Sequence, residues 1–265
     1  MMKTIVLILL IESIARCAGP QTTTELNLGH IFEKYGVSGC FVLYDQEEDS
    51  YMRINPSLCD SGYTPASTFK IPNSIIALEE GVIRDTSEII KWDGHEWPGN
   101  KNWNENQTLK TAMKYSCIWV YFKFAEEIGI DKYYKYVNEF NYGNKDLTGP
   151  PTKFWLSGSF KISANQQIEF LRKFYNYELP VADKSIDIVK DIIVLEKTAS
   201  YTLSGKTGGG MLSSSDFIMW LVGYIEKGNK IYFYALNFKT DKFQETKDTR
   251  YNIVMDILKE LKLVD

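Results

Sequence analysis

Pro65-Ala66-Ser67-Thr68-Phe69-Lys70-Ile71-Pro72 is the stretch from which the rest of this chain is read. Turn residues, Ser61-Gly62 and Pro65, precede it, and an apolar pattern with helical spacing, Ile71, Ile75, Ile76 and Leu78, begins inside it. Proline is tolerated only in the first turn of a helix, so Pro72 requires the helix to start close to Ser67; the pattern ends at Gly81. The Ser67 hydroxyl then stands at a helix N-terminus, where free N–H groups and the dipole favour developing negative charge. Lys70, three residues on, shares its helix face. A hydroxyl and an amine so placed make a nucleophile and a candidate base. Ser-x-x-Lys is short enough for chance to supply it, so its meaning depends on its company.

Composition narrows the classes. A chain of 265 residues is long enough for one large domain, or a domain with an insertion, around a sizeable core. Its net charge of −4 gives no general attraction to nucleic acid or anionic membranes, so an anionic ligand would need cations gathered locally. There are two histidines, His30 and His95, neither at metal-ligand spacing from a Cys or carboxylate, which argues against a zinc site and a Ser-His-Asp triad. Lys3, the apolar run Thr4 to Ile11 and the small residues Ala15 to Gly19 have the order of a secretory signal. Residues 1–18 are therefore read as a removable signal, too short to span a bilayer, and 19–265 as an exported, periplasmic or secreted protein with no membrane segment. Three cysteines follow, Cys40, Cys59 and Cys117; a bridge between Cys40 and Cys59 is conceivable, and an odd count leaves one thiol over. Nothing in the sequence fixes an oligomeric state.

Along the chain, residues 24–35 read as a short amphipathic helix, and Cys40–Tyr44 with Tyr51–Ile54 as a hairpin. From about 84 to 195 the pattern is helical, with segments near 107–114, 119–128, 131–140, 165–176 and 183–195 joined by polar, Gly- and Pro-rich links. Strand patterns return at 201–206, 217–225 and 230–238, the last two joined by Gly228-Asn229, and a helix over 247–262 closes the chain. The expected fold is α/β (α+β): one antiparallel sheet of five to seven strands, flanked by helices, with an all-helical insertion.

Four further sites carry candidate chemistry. Lys206-Thr207-Gly208, leading into Gly209, follows a strand; its glycines allow a ligand close to the backbone, and Lys206 and Thr207 can grip an anionic oxygen. A plain glycine-rich turn is the alternative. Tyr142-Gly143-Asn144 lies between helices, where Gly143 also reads as a helix C-cap. Ser116-Cys117-Ile118 adds a second hydroxyl, and Trp155 by itself reads as core.

Taken in order with their spacings, Ser67-Thr68-Phe69-Lys70, Ser116-Cys117-Ile118, Tyr142-Gly143-Asn144, Trp155, Lys206-Thr207-Gly208 and Trp220-Leu221-Val222-Gly223 form one pattern. It resembles that of the class D, oxacillinase-type serine β-lactamases from about residue 25 to the C-terminus. Ile118 stands where that family more often has valine, and the tract Gly209 to Ser214 is individual to this chain. The resemblance implies the penicillin-recognising serine enzyme fold, a small-molecule β-lactam substrate, and an acyl-enzyme formed on Ser67. It implies that the N–H groups of Ser67 and Gly209 hold the oxyanion and that Ser116 relays a proton to the leaving nitrogen. Lys206, Thr207, Gly208 and Arg250 would bind the substrate carboxylate, with Ile118 and Leu156 beside them. No metal and no bound cofactor are implied. Instead, CO2 or bicarbonate would carboxylate Lys70, and the resulting carbamate would hydrogen-bond to Trp155. A free lysine is neutral about once in 2,500 at pH 7, so burial among Phe69, Trp155, Leu156 and Ile118 must first lower its pKa. A β-lactam sensor domain and a cell-wall transpeptidase share Ser67 and Lys206 and are the alternatives; a sensor would carry membrane helices, and a transpeptidase would not need a dry lysine pocket.

Overall fold

A computed structural model of the chain describes residues 21–98 and 100–265. The signal segment read over residues 1–18 lies outside the described residues. The strands are β1 (Thr22–Glu25), β2 (Ser38–Asp45), β3 (Ser50–Ile54), β4 (Val194–Lys197), β5 (Thr202–Met211), β6 (Phe217–Lys227) and β7 (Lys230–Thr240). The helices are α1 (Gly29–Lys34), α2 (Pro56–Cys59), α3 (Lys70–Glu79), α4 (Leu109–Lys114), α5 (Ile118–Ile128), α6 (Ile130–Phe140), α7 (Ala164–Tyr175), α8 (Asp183–Ile192) and α9 (Thr249–Glu260). One seven-stranded sheet has the order β1-β3-β2-β7-β6-β5-β4. The early hairpin β2–β3 joins the late strands through β2–β7, with Gly39 opposite Phe238 and Tyr44 opposite Phe233. The helices α3 to α8 thus depart from the sheet and return to it at β4.

Both faces of this sheet are buried, which is why β6 reads as an almost unbroken apolar run. Alternation sorts its side chains: Met219, Leu221 and Ile225 face a core completed by Ile31, Phe32, Ile253 and Ile257 of α1 and α9. Ile218, Trp220, Val222 and Tyr224 face the larger core shared with the helices of the insertion. The long strands form a floor on which the turn preceding α3 lies against β5, while α3 itself packs among α5 and α8 with eight of its ten residues buried.

The structure corrects the sequence reading in five places. The helix expected over 24–35 is confined to Gly29–Lys34, because the threonines of β1 extend and pair with β3. That pairing is parallel, so the sheet is mixed at one edge rather than wholly antiparallel. The helix expected to reach 195 stops at Ile192; Ile193 and Val194 are β-branched, and the Gly205 N–H takes the Ile193 carbonyl at 2.8 Å, turning the chain into edge strand β4. Gly143 is not a C-cap, since α6 ends at Phe140 with Asn141 in the left-handed conformation. Cys40, Cys59 and Cys117 are buried free thiols, and the Cys59 Sγ lies 3.9 Å from the Phe41 carbonyl.

Candidate active site

Ser67 sits in a 3-10 turn, Ala66–Phe69, that runs directly into α3, and three contacts hold this turn from outside. The Ala66 N–H donates to the Trp155 carbonyl at 2.9 Å, and the Thr64 hydroxyl donates to the same oxygen at 2.8 Å. The Trp220 indole donates to the Thr64 carbonyl at 3.0 Å. Within the turn, Thr68 Oγ1 donates to the Pro65 carbonyl at 2.7 Å and accepts from Gln167 Nε2 at 2.9 Å. The Ala66 backbone is left-handed, φ 49°, a conformation that costs a residue with a Cβ ~1–3 kcal/mol and persists only because these bonds over-determine it. The glycines opposite have a steric cause: a Cβ on Gly208 would lie 3.0 Å from Thr68 Cγ2, and one on Gly210 would lie 2.6 Å from Thr64 Cγ2. Strand β5 can therefore lie flat against the serine turn.

Lys70 is the first residue of α3 and is 1 % exposed. Its Nζ is 3.2 Å from Ser67 Oγ and 4.6 Å from the centre of the Tyr121 ring. Burial pushes its pKa down to about 7, partly offset by attraction to Cys117. At neutral pH a substantial fraction of this amine is uncharged, as a base requires. Trp155 is fully buried and stacks on Phe69, rings 5.7 Å apart, while its indole N–H has no partner among the described residues. Ser116, in the link between α4 and α5, is also left-handed at φ 55°, and its Oγ is likewise buried without a partner.

A cavity of about 380 Å³ opens over these groups, lined by Ser67, Ser116, Ile118, Leu156, Thr207, Gly208, Gly209 and Arg250 among others. Arg250, at the start of α9, donates through Nη1 to the Gly208 carbonyl at 2.8 Å and through Nε to the Lys247 carbonyl at 2.8 Å. Burial lowers its pKa to about 10, which leaves it a cation at neutral pH. Lys206 is 5 % exposed, with Nζ on the Thr207 carbonyl at 3.1 Å. Burial holds its pKa well below the usual lysine range, and the nearby cations Lys70 and Arg250 push the same way.

A serine hydroxyl on a strained turn, a desolvated lysine beside it and an arginine at the far wall share one cleft, and comparison with known proteins gives the family of the chain. The pattern of the penicillin binding protein transpeptidase domain matches residues 39–259. β-Lactamase OXA-5 of Pseudomonas aeruginosa is 38% identical over 243 residues, 91% of this chain and 91% of that protein. The crystal structure of a class D β-lactamase from Sebaldella termitidis superposes with a TM-score of 0.89 at 37% identity, covering 92% of this chain and 99% of that one. The chain belongs to the class D serine β-lactamases. The C-terminal domain of the Bacillus licheniformis BlaR penicillin receptor has the same fold, with a TM-score of 0.89 at 31% identity over 94% of this chain and all of that domain.

Within this class D site, the residues singled out in the sequence separate into three groups. Ser67, Ser116, Ile118, Leu156, Thr207, Gly208, Gly209 and Arg250 line one cavity. Lys70 and Trp155 lie behind its floor, both buried. Lys206 forms the wall of a neighbouring cavity that also reaches Thr207. Tyr142-Gly143-Asn144 supports the site from outside: Asn144 bonds Ser159 and Lys161, and a Cβ on Gly143 would lie 2.3 Å from the Lys161 carbonyl. The loop bearing Trp155 is thereby fixed. Trp103, Tyr115 and Phe243 also line the cavity, and Tyr121 covers the Lys70 amine; the sequence reading missed all four. Tyr115 adjoins Ser116, a signal that was available; Phe243 reaches the cleft only through its packing over Gly209, where a Cβ would lie 2.6 Å from its ring.

Proposed function

We propose that the chain hydrolyses β-lactam antibiotics through an ester on Ser67, and that carboxylated Lys70 is the base. The observation that carries this reading is the 3.2 Å contact between Ser67 Oγ and a Lys70 amine whose pKa burial has brought to about 7. Ser67 Oγ gives up its proton toward Lys70 as it bonds to the lactam carbonyl carbon. The carbonyl oxygen, now negative, lies by the Ser67 and Gly209 backbones, and as the C–N bond breaks Ser116 passes its proton to nitrogen and takes in exchange the one held at Lys70. Water then cleaves the ester and restores Ser67. Thr207, Lys206 and Arg250 hold the substrate carboxylate, with Ile118 and Leu156 against the apolar part of the molecule.

The pocket residues fit a carboxylated lysine. The Trp155 indole N–H and the Ser116 hydroxyl are both buried without partners, and an unpaired buried donor costs ~1–3 kcal/mol, so an acceptor here is favoured. When present, the carbamate would supply anionic oxygen acceptors and a base that is unprotonated at neutral pH, for both acylation and deacylation. Trp155, stacked on Phe69, holds the indole N–H in place and keeps water from the lysine.

The likeness to a penicillin receptor favours one second reading, a domain that is acylated and stays so. Steady-state hydrolysis of a chromogenic cephalosporin decides between them. Continuous turnover supports the enzyme; a single burst equal to the protein present means a receptor. Mass spectrometry after penicillin treatment should place the adduct on the peptide bearing Ser67, and an adduct on Ser116 would remove the assignment. The signal segment implies export, and among the described residues no helix is long and apolar enough to cross a membrane.

A further inference from the structure

A second cavity, about 610 Å³, adjoins the catalytic cleft on the far side of Thr207. Its walls come from α4, from the corner where α8 turns into β4, and from β5. Two properties set it apart. Its lining is apolar at Met113, Ile192, Ile193, Val194 and Leu195, and Val194 and Leu195 are 42% and 44% exposed. Its rim is cationic: the exposed Lys110, Lys114 and Lys197 line it together with the buried Lys206, against the single carboxylate of Asp191. Asp191 stands 3.8 Å from Lys110, and both are largely exposed, so that pair is weak. Lys114 and Lys197 have no ion-pair partner among the described residues. A chain of net charge −4 has gathered four lysines around one apolar hollow.

We infer that this annex binds a small amphipathic anion, a carboxylate or sulfonate carried on an apolar body. The apolar part packs on Met113 and Leu195, and the anionic head lies among Lys114, Lys197 and Lys206. Lys206 and Thr207 are shared with the substrate's carboxylate in the reading given above, on which the inhibitory consequence rests. An occupied annex therefore competes for the same lysine and weakens substrate binding without touching Ser67 or Lys70. The site is an inlet through which an anionic amphiphile regulates the cleft.

The test uses 1-octanesulfonate below its micellar concentration, with benzylpenicillin as substrate and ionic strength held constant. Octanesulfonate should raise KM and leave kcat unchanged, while methanesulfonate, which lacks the apolar body, should do so at least tenfold less effectively. The double variant Lys114→Glu/Lys197→Glu changes exposed residues outside the catalytic machinery, so it should fold and hydrolyse benzylpenicillin with wild-type constants. Its inhibition constant for octanesulfonate should rise by about tenfold, since two attractive charges become repulsive. An unchanged inhibition constant in that variant places the anion in the main cleft and overturns the proposal, as does equal potency of methanesulfonate. Failure of the hydrolytic reading would appear separately, as absence of benzylpenicillin turnover in the wild type without any sulfonate; direct calorimetric titration of octanesulfonate into wild type and variant then still reads the annex.

Discussion

Titrating Lys70 tests the centre of the site. Burial lowers its pKa from 10.5 to about 7. That difference corresponds to about 5 kcal/mol of preference for the neutral form. In the folded protein the amine is about 10% neutral at pH 6 and about 90% neutral at pH 8. A nucleophile that depends on it should show kcat/KM about tenfold lower at pH 6 than at pH 8, with an inflection near 7, because that ratio reports the free enzyme. Carboxylation also needs the neutral amine, so its pH dependence has the same sign. Stability gives an independent reading. Between pH 7 and 10.5 the unfolded lysine holds a proton that the folded one lacks, so this residue's contribution to stability becomes more favourable as pH rises through that window. Below pH 7 both states are protonated and the full penalty of about 5 kcal/mol remains. Lys70→Met lacks the penalty, so in bicarbonate-free buffer its stability advantage over wild type, measured by urea unfolding, should shrink steadily from pH 7 to pH 10. A kcat/KM flat between pH 6 and 8, together with a pH-independent difference between the two proteins, would refute a desolvated lysine at Ser67.

Three other outcomes follow from particular contacts. Arg250→Ala should raise KM for benzylpenicillin about 10- to 100-fold with kcat little changed, since a charged hydrogen bond made in ground and transition states alike contributes ~1.5–3 kcal/mol; an unchanged KM would assign Arg250 only to its Gly208 contact. Trp155→Phe keeps a ring against Phe69 but removes the buried N–H, so steady-state turnover should fall about 10- to 100-fold after a normal burst, with relief by bicarbonate. Wild-type turnover in that variant would show that the indole N–H has no part in holding the carbamate. Gly223→Ala would put a Cβ 1.9 Å from the Ser204 carbonyl and should destabilise the fold by about 3 kcal/mol or more, whereas Gly29→Ala, which meets no atom within 4 Å, should be near neutral by thermal unfolding.

The parts of the site legible in the sequence are those set by local geometry. Ser67 and Lys70 meet because three residues in a helical turn bring two side chains to one face, and Pro72 fixes where that turn can begin. The long strands were legible for the same reason: β6 and β7 alternate between two buried faces, and Gly228-Asn229 closes them. Ordered spacing carried the rest of the motif set as far as Trp220-Leu221-Val222-Gly223, whereas Arg250, at the head of α9, was named only through the family resemblance.

Other features have no local signal. Whether Thr22–Glu25 is helix or strand depends on an exposed edge of β3 being available to pair with it, and Val194–Lys197 becomes a strand because β5 offers it hydrogen bonds. Tyr121 over Lys70, Phe243 over Gly209 and Gln167 on Thr68 are contacts between elements far apart in the chain, made by packing alone. So is the pKa of Lys70: the sequence supplies a lysine, but only the closed tertiary structure removes its water. The sequence determined which groups stand together within one turn or one strand; the folded chain decided which of them are dry, strained or opposed across the cleft, because desolvation and packing are properties of the whole core.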